Sequence, residues 1–299
     1  MNNAILYFFG INALDLEKIN NNYYFKYKGN NYVVYLYDRD PNEAVEIYYL
    51  NLEMINNGLF GYEIVLTKNS EVLFMFEDRY YSLMKIPNFK NRLITYRDII
   101  NFNYKPNIKI KYLDKSNWNS SWSNKIDFIE YQFNEIRNKY KIIDDSINYF
   151  IGIWENGISY FNDNYNYSKE KYVSHKRIST DMDLLSFLNP FNFVLDYKER
   201  DIGDYLKSYA YSKNYSLNNI DNFIRIFDIQ SIVLIISRLL FPSYYFDLYE
   251  DIVLGNISED NINLILDKKD NVLKIIAYIF KRYEIYNISY IEWIKKEVS

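Results

Sequence analysis

Residues 23–58 read YYFKYKGNNYVVYLYDRDPNEAVEIYYLNLEMINNG. Tyr23–Tyr27 and Tyr32–Tyr37 are aromatic and β-branched runs on either side of Lys28-Gly29-Asn30-Asn31, the signature of an antiparallel hairpin. Asp40-Pro41-Asn42-Glu43 then sets a capping Asp before a Pro at the first helical position, and Ala44 to Asn56 continues as a helix ending at Asn57-Gly58. Working outward, Gly61–Thr67 and Glu71–Phe76 flank Lys68-Asn69-Ser70 as a second expected strand pair, with Tyr80–Met84 as a further strand. Residues 1–86 therefore read as a small antiparallel sheet carrying one helix.

After Pro87 the apolar period changes. Trp118–Tyr140, Ser146–Phe161, Ile202–Ser212, Ile220–Arg225, Ile229–Leu254, Glu259–Leu266 and Asn271–Glu284 all space apolar residues as helices do. Phe193-Val194-Leu195 is the one strand-like segment in this half, and it follows the loop containing His175. Residues 104–115 hold four lysines, read as a solvated linker rather than a nucleic-acid contact because the chain carries 35 Lys+Arg against 39 Asp+Glu.

Composition excludes several chemistries. With one His and no Cys, zinc fingers, iron–sulfur clusters, cysteine nucleophiles and multi-histidine metal sites cannot be built. Aromatic residues make up 19 % of the chain, with 34 Tyr, which codon bias in an A+T-rich genome accounts for. The aromatics Tyr149, Phe150, Trp154, Tyr160 and Phe161 are expected in the core of the helical half. The first ten residues lack a basic region and a cleavage site, so no secretory signal is expected. Nor is a membrane span: Ile229 to Leu240 is interrupted by Ser231, Ser237 and Arg238 and followed by Pro242, short of the roughly 20 apolar residues needed.

Four local texts carry a resemblance. They are Tyr149 to Tyr160 (YFIGIWENGISY); His175-Lys176-Arg177; Phe193-Val194-Leu195-Asp196 followed by Arg200 to Leu206 (RDIGDYL); and Ser237 to Pro242 (SRLLFP) with Tyr244-Tyr245-Phe246. In this order and spacing they resemble the spore coat kinase-like family of sporulating Gram-positive bacteria, of the CotS and YutH type, in the aminoglycoside phosphotransferase and choline kinase branch of the protein-kinase-like fold. The resemblance implies an α+β fold with a small N-terminal sheet lobe (1–86) and a larger, mainly helical C-terminal lobe (87–299).

It also implies a set of catalytic parts, several of which are missing. No glycine lies between Asp15 and Tyr27 to cradle a phosphate, and Gly29 is explained by its turn. Tyr37 falls at the position of the strand lysine that neutralises ATP phosphates, with Arg39 two residues on; Glu46 falls where that lysine's helix partner is expected. The catalytic loop reads His175-Lys176-Arg177, an Arg where the branch has its catalytic Asp, and arginine cannot serve as a base near neutral pH. Loss of a positioned base forfeits roughly 10²–10⁴ in rate. At the position of a magnesium-binding Asn stands Met182, between Asp181 and Asp183; Asp196, 21 residues after His175, is the best remaining metal ligand, with Asp181 as its companion. Asp196 and Asp201 also read as caps of the following helix, and His175 as a residue that shapes its loop.

The resulting expectation is a catalytically degenerate kinase-like protein, a scaffold with protein partners such as other spore coat components, located in the cytoplasm or the spore coat. It needs no cofactor, and its oligomeric state is left open. The alternative is an active small-molecule phosphotransferase requiring ATP and Mg²⁺. A third reading is a structural protein whose exposed tyrosines become cross-linked.

Overall fold

A computed structural model describes residues 1–59, 61–165 and 170–285; residues 166–169 and 286–299 of the expected helical lobe lie outside this range. The chain opens with helix α1 (Asn2–Phe9), closed by Gly10 at φ 72°, whose N–H returns to Leu6 O. Strands β1 (Glu17–Ile19), β2 (Asn22–Tyr27) and β3 (Asn30–Tyr37) follow, then helix α2 (Pro41–Asn56), then β4 (Glu63–Val65), β5 (Phe74–Phe76) and β6 (Arg79–Lys85). The hairpin and the capped helix stand where expected: β2 pairs with β3 about the Gly29 turn, and the Asp40 carboxylate accepts the Asn42 N–H at 2.9 Å.

Two features of this lobe differ from expectation. Among the described residues it carries two helices, because α1 packs Ile5 against the outer face of the sheet with Phe25, Val34 and Leu83. And β4 and β5 do not pair with each other. They occupy successive stretches of one edge of β6, β4 opposite Leu83–Lys85 and β5 opposite Arg79–Tyr81, while β3 fills the other edge. The Lys68–Ser70 turn forms, through Thr67 N to Glu71 O, but it feeds one strand after the other along β6 instead of folding them together.

The helical lobe contains α3 (Tyr96–Asn101), α4 (Trp118–Ile136), α5 (Lys141–Asn164), β7 (Tyr172–His175), α6 (Leu184–Leu188), β8 (Phe193–Asp196), α7 (Glu199–Tyr211), α8 (Ile220–Ile224), α9 (Ile229–Leu240), α10 (Ser243–Val253), α11 (Asn263–Leu266) and α12 (Lys269–Arg282). The expected helix 229–254 is two helices, broken at Phe241-Pro242 where proline has no N–H to continue the ladder. The apolar run Ile229–Val253 is long enough to cross a membrane by composition, yet 83 % of its most apolar window is buried in the protein, as a core helix would be. Strand β7 pairs antiparallel with β8; at four residues it is too short to show a period in sequence.

Helices α5, α7 and α9 form the centre of the large core, with Phe150, Trp154, Tyr160 and Phe161 buried in it and Tyr149 packed against it. A Cβ on Gly203 would lie 2.7 Å from Cβ and Cγ of Arg238, so only glycine lets α7 and α9 approach this closely. A second core joins the lobes: Val33, Tyr37, Ile47, Ile64 and Met84 from the sheet side pack with Phe191, Phe193 and Leu195.

Residues 104–115 are a seam, not a free linker. Glu46 accepts the N–H groups of Lys111, Tyr112 and Leu113 at 2.8, 2.8 and 3.0 Å. Glu53, seven residues along the same face of α2, accepts those of Asn107 and Ile108 at 2.9 and 3.3 Å. Leu113 and Lys115 then bond Leu195 of β8 through their backbones.

Candidate functional site

The loop after β7 and the start of α7 hold the residues singled out from sequence. His175 is fully buried. Its Nδ1 lies 2.6 Å from Asp201 Oδ2, its Nε2 2.8 Å from Phe187 O, and its backbone N–H donates to Asp201 Oδ1 at 2.9 Å. Phe187 stacks on the ring at 4.3 Å. With both nitrogens engaged and no exposed edge, His175 braces the loop.

Arg177 turns outward to α10, where its Nε and Nη2 donate to the two carboxylate oxygens of Asp247 at 3.0 and 2.6 Å. Met182 sends its carbonyl to Ile94 N–H, Asp181 accepts from Ser179 Oγ, and Asp183 caps α6 through Ser186 N.

Asp196 is the end of β8 and fully buried. Arg200, the second residue of α7, donates to its Oδ2 at 2.5 Å; Trp118 Nε1 donates to the same oxygen at 3.1 Å, and Tyr197 N–H to Oδ1 at 2.7 Å. Burial pushes the carboxyl up against the pull of Arg200 and Trp118. The Arg200 guanidinium also donates to His175 O and Lys176 O at 2.9 and 3.1 Å, so one side chain ties the loop backbone to Asp196. As they stand these residues do not suit a divalent cation: both oxygens of Asp196 are taken by protein donors, and among the described residues no group of three acidic or histidine side chains gathers.

On the sheet side, Tyr37 is buried, donates its hydroxyl to Asp40 O at 3.0 Å and meets Phe191 edge-on at 5.1 Å; Tyr35 stacks on the same ring at 5.5 Å. Burial drives the Tyr37 phenol well above its ordinary pKa, so it stays neutral. Glu46 does not face the cleft, its carboxylate being spent on the 111–113 backbone. Arg39 does reach across, pairing with Glu43 at 2.5 Å and donating to Phe191 O and Phe193 O at 2.8 Å each, while Lys115 shares Glu43 at 3.0 Å. Sequence reasoning gave no role to Glu43, Lys115, Phe191, Trp118 or Arg200. The i,i+4 spacings of Arg39 with Glu43 and of Asp196 with Arg200 were the local signals available.

Beneath the cleft lies a buried ionic triad. Arg238 donates to both oxygens of Asp204 at 2.8 and 2.9 Å, and Lys207 Nζ sits 3.5 Å from Asp204 while bonding Phe241 O at 2.6 Å and Ser243 Oγ at 3.2 Å. Two cations share one carboxylate. Burial, together with the Arg238 and Arg177 charges, pushes Lys207 down to about 7 against the pull of Asp204. The folded value is below the unfolded one, so between about pH 7 and 10 the unfolded chain holds the extra proton and stability rises with pH. Relative to Lys207→Met, the unmodified protein should gain up to about 1.4 kcal/mol per pH unit from pH 7 to 9. Urea unfolding of both proteins at three pH values measures it, and parallel curves would refute the shifted lysine.

A cleft of about 590 Å³ remains between the lobes, lined by Arg39, Glu43, Trp122, Lys176, Arg177 and Phe241 among others. It lies beside the filled contact of Tyr35, Tyr37 and Phe191.

The fold is shared with aminoglycoside phosphotransferases. The chain superposes on the aminoglycoside phosphotransferase of Alicyclobacillus acidocaldarius with a TM-score of 0.63 at 9 % identity, covering 96 % of this chain and 97 % of that one. It matches the AMP-bound spectinomycin phosphotransferase APH(9)-Ia at 0.59 and 10 % identity, over 93 % and 96 % of the two chains. For APH(4)-Ia, solved with ADP and hygromycin B, the TM-score is 0.55 at 10 % identity, over 93 % and 97 %. Among curated proteins, none matches the sequence. The family described as "Spore coat putative kinase YutH" matches residues 2–275, nearly the whole chain, and with the α+β kinase-like architecture this establishes that the protein belongs to the YutH family of spore coat kinase-like proteins.

Proposed function

We propose that this chain is a pseudokinase, a catalytically degenerate kinase-like protein whose fold serves as a binding scaffold for other proteins of the spore coat. The observation that carries this reading is the Asp196–Arg200 pair: the carboxylate best placed by sequence to hold magnesium is buried with a guanidinium on it. Arg177 in place of the expected base, paired with Asp247, supports the same reading. So does the packing of Phe191 against Tyr35 and Tyr37, which puts side chains where the sheet would otherwise cover a nucleotide. The family match supplies the spore coat context.

The competing reading is an ATP- and Mg²⁺-dependent phosphotransferase acting on a small hydroxylated molecule. The two differ in thermal unfolding with and without millimolar ATP and Mg²⁺. The scaffold reading expects no change in Tm, whereas ligand at 100 times its Kd would add about 2.7 kcal/mol. Stabilisation that vanishes in Asp196→Asn would overturn the pseudokinase assignment.

A further inference from the structure

The wall of the 590 Å³ cleft carries seven cationic side chains against three carboxylates, Asp38, Asp40 and Glu43. Four of the seven are committed. Arg39 and Lys115 share Glu43, Arg200 holds Asp196, and Arg238 holds Asp204. The other three are available. Arg177 and Lys125 are paired with Asp247 and Glu250, each at 2.6 Å, but these pairs are about 40 % exposed on both sides. Ion pairs this wet contribute about 0–1 kcal/mol, so an entering anion can exchange with the rim carboxylates at little cost. Lys176 is the third; its ammonium has no hydrogen-bond or ion-pair partner among the described residues.

We propose that this cleft is a metal-independent receptor for a phosphate monoester, held by Lys176, Arg177 and Lys125, with its organic part against Trp122 and Phe241. The assignment rests on the pseudokinase reading, since it gives the cleft a ligand instead of a phosphoryl donor. Charge and valence select the ligand. A phosphate monoester carries about −1.5 to −2 with three strong acceptor oxygens; the Arg177 fork suits two of them, and the two ammonium groups share the remaining lone pairs. A lone carboxylate would leave one cation unanswered. The volume falls within the roughly 300–1,000 Å³ of small-ligand sites. The nearly parallel stack of Trp122 and Phe241 at 5.0 Å provides a rigid apolar flank. Burial and the neighbouring Arg39 and Arg177 charges already press Lys176 below its usual range, countered in part by Asp38 and Glu43, and an arriving dianion relieves that repulsion.

The phosphate has two conceivable carriers, a free small molecule or a phosphorylated side chain of a coat protein, and the test separates them. Calorimetric titration in EDTA would use phenyl phosphate, a phosphoserine hexapeptide and its unphosphorylated twin. At least one phosphorylated probe should bind, with affinity falling as KCl rises, and both Lys176→Met and Arg177→Met should weaken it about tenfold. These side chains are exposed, and unchanged thermal unfolding would verify that the variants fold. Binding of the peptide alone assigns the carrier as a protein; equal binding of phenyl phosphate assigns a small molecule. No binding of either phosphorylated probe, binding that needs Mg²⁺, or binding indifferent to both substitutions overturns the proposal. If the probes fail while ATP and Mg²⁺ still produce no shift, the receptor proposal falls and the pseudokinase reading stands.

Discussion

Arg200→Ala should lower the unfolding free energy by about 3–5 kcal/mol, the usual cost of removing one member of a buried ion pair. The substitution leaves Asp196 fully buried with no cation and strips a donor from both His175 O and Lys176 O. Arg200→Lys should recover only part of the loss, because an ammonium cannot span three acceptors that lie on different strands of the loop. The double variant Arg200→Met with Asp196→Leu should be less destabilised than Arg200→Ala alone, since an apolar pair of similar size removes the orphaned charge. Urea unfolding of the four proteins measures this. A loss below about 1 kcal/mol for Arg200→Ala would mean that the pair contributes little and that Asp196 is freer than its contacts imply.

Asp204→Ala should be at least as damaging. Arg238 and Lys207 are both fully buried and lean on this one carboxylate. Its own pKa lies well below the ordinary carboxylate value: burial pushes it up, but Arg238 and Lys207 pull it down further. Removing it confronts two cations across a few ångströms in a poorly polarisable interior, a cost of about 3–5 kcal/mol or more, which corresponds to a fall in Tm on the order of 10 °C. Part of the penalty should disappear as pH rises from about 6 to about 8, where Lys207 of the unmodified protein, pushed down to about 7, sheds its proton and no longer needs the carboxylate. A loss independent of pH would place the damage in packing and not in charge.

The elements with strong local signals were readable from sequence: the Gly29 hairpin and the Asp40-Pro41 helix start stand close to their expected limits, and most of the amphipathic segments are helical, although α5 begins five residues before its expected start and the 229–254 segment is split at Pro242. The kinase-like architecture was readable from the order of four texts. Strand β7 was not, because four residues carry no period, and neither was the sharing of β6 by β4 and β5, which depends on where a turn delivers the chain. At the site, sequence singled out His175 and Arg177, at and just past the end of β7, and Asp196, which ends the paired strand β8. Their partners were not legible. Arg177 meets Asp247 70 residues away, Trp118 meets Asp196 78 residues away, and Glu46 is claimed by backbone groups 65–67 residues ahead. A charge in sequence announces that it needs a counterpart, but only folding chooses among the many carboxylates and cations on offer.

The clamp from Arg39 to the Phe191 and Phe193 carbonyls closes a loop of more than 150 residues, and the inner face of the sheet packs on those same residues. A nascent chain leaving the ribosome therefore presents a sheet whose inner face is covered only in part, by α2, until residues beyond 196 have emerged. At about 5–20 residues per second that interval is on the order of ten seconds. During that interval the Val33, Tyr37, Ile64 and Met84 side chains of the sheet lack their Phe191, Phe193 and Leu195 partners, a transiently exposed apolar surface of the kind that favours aggregation.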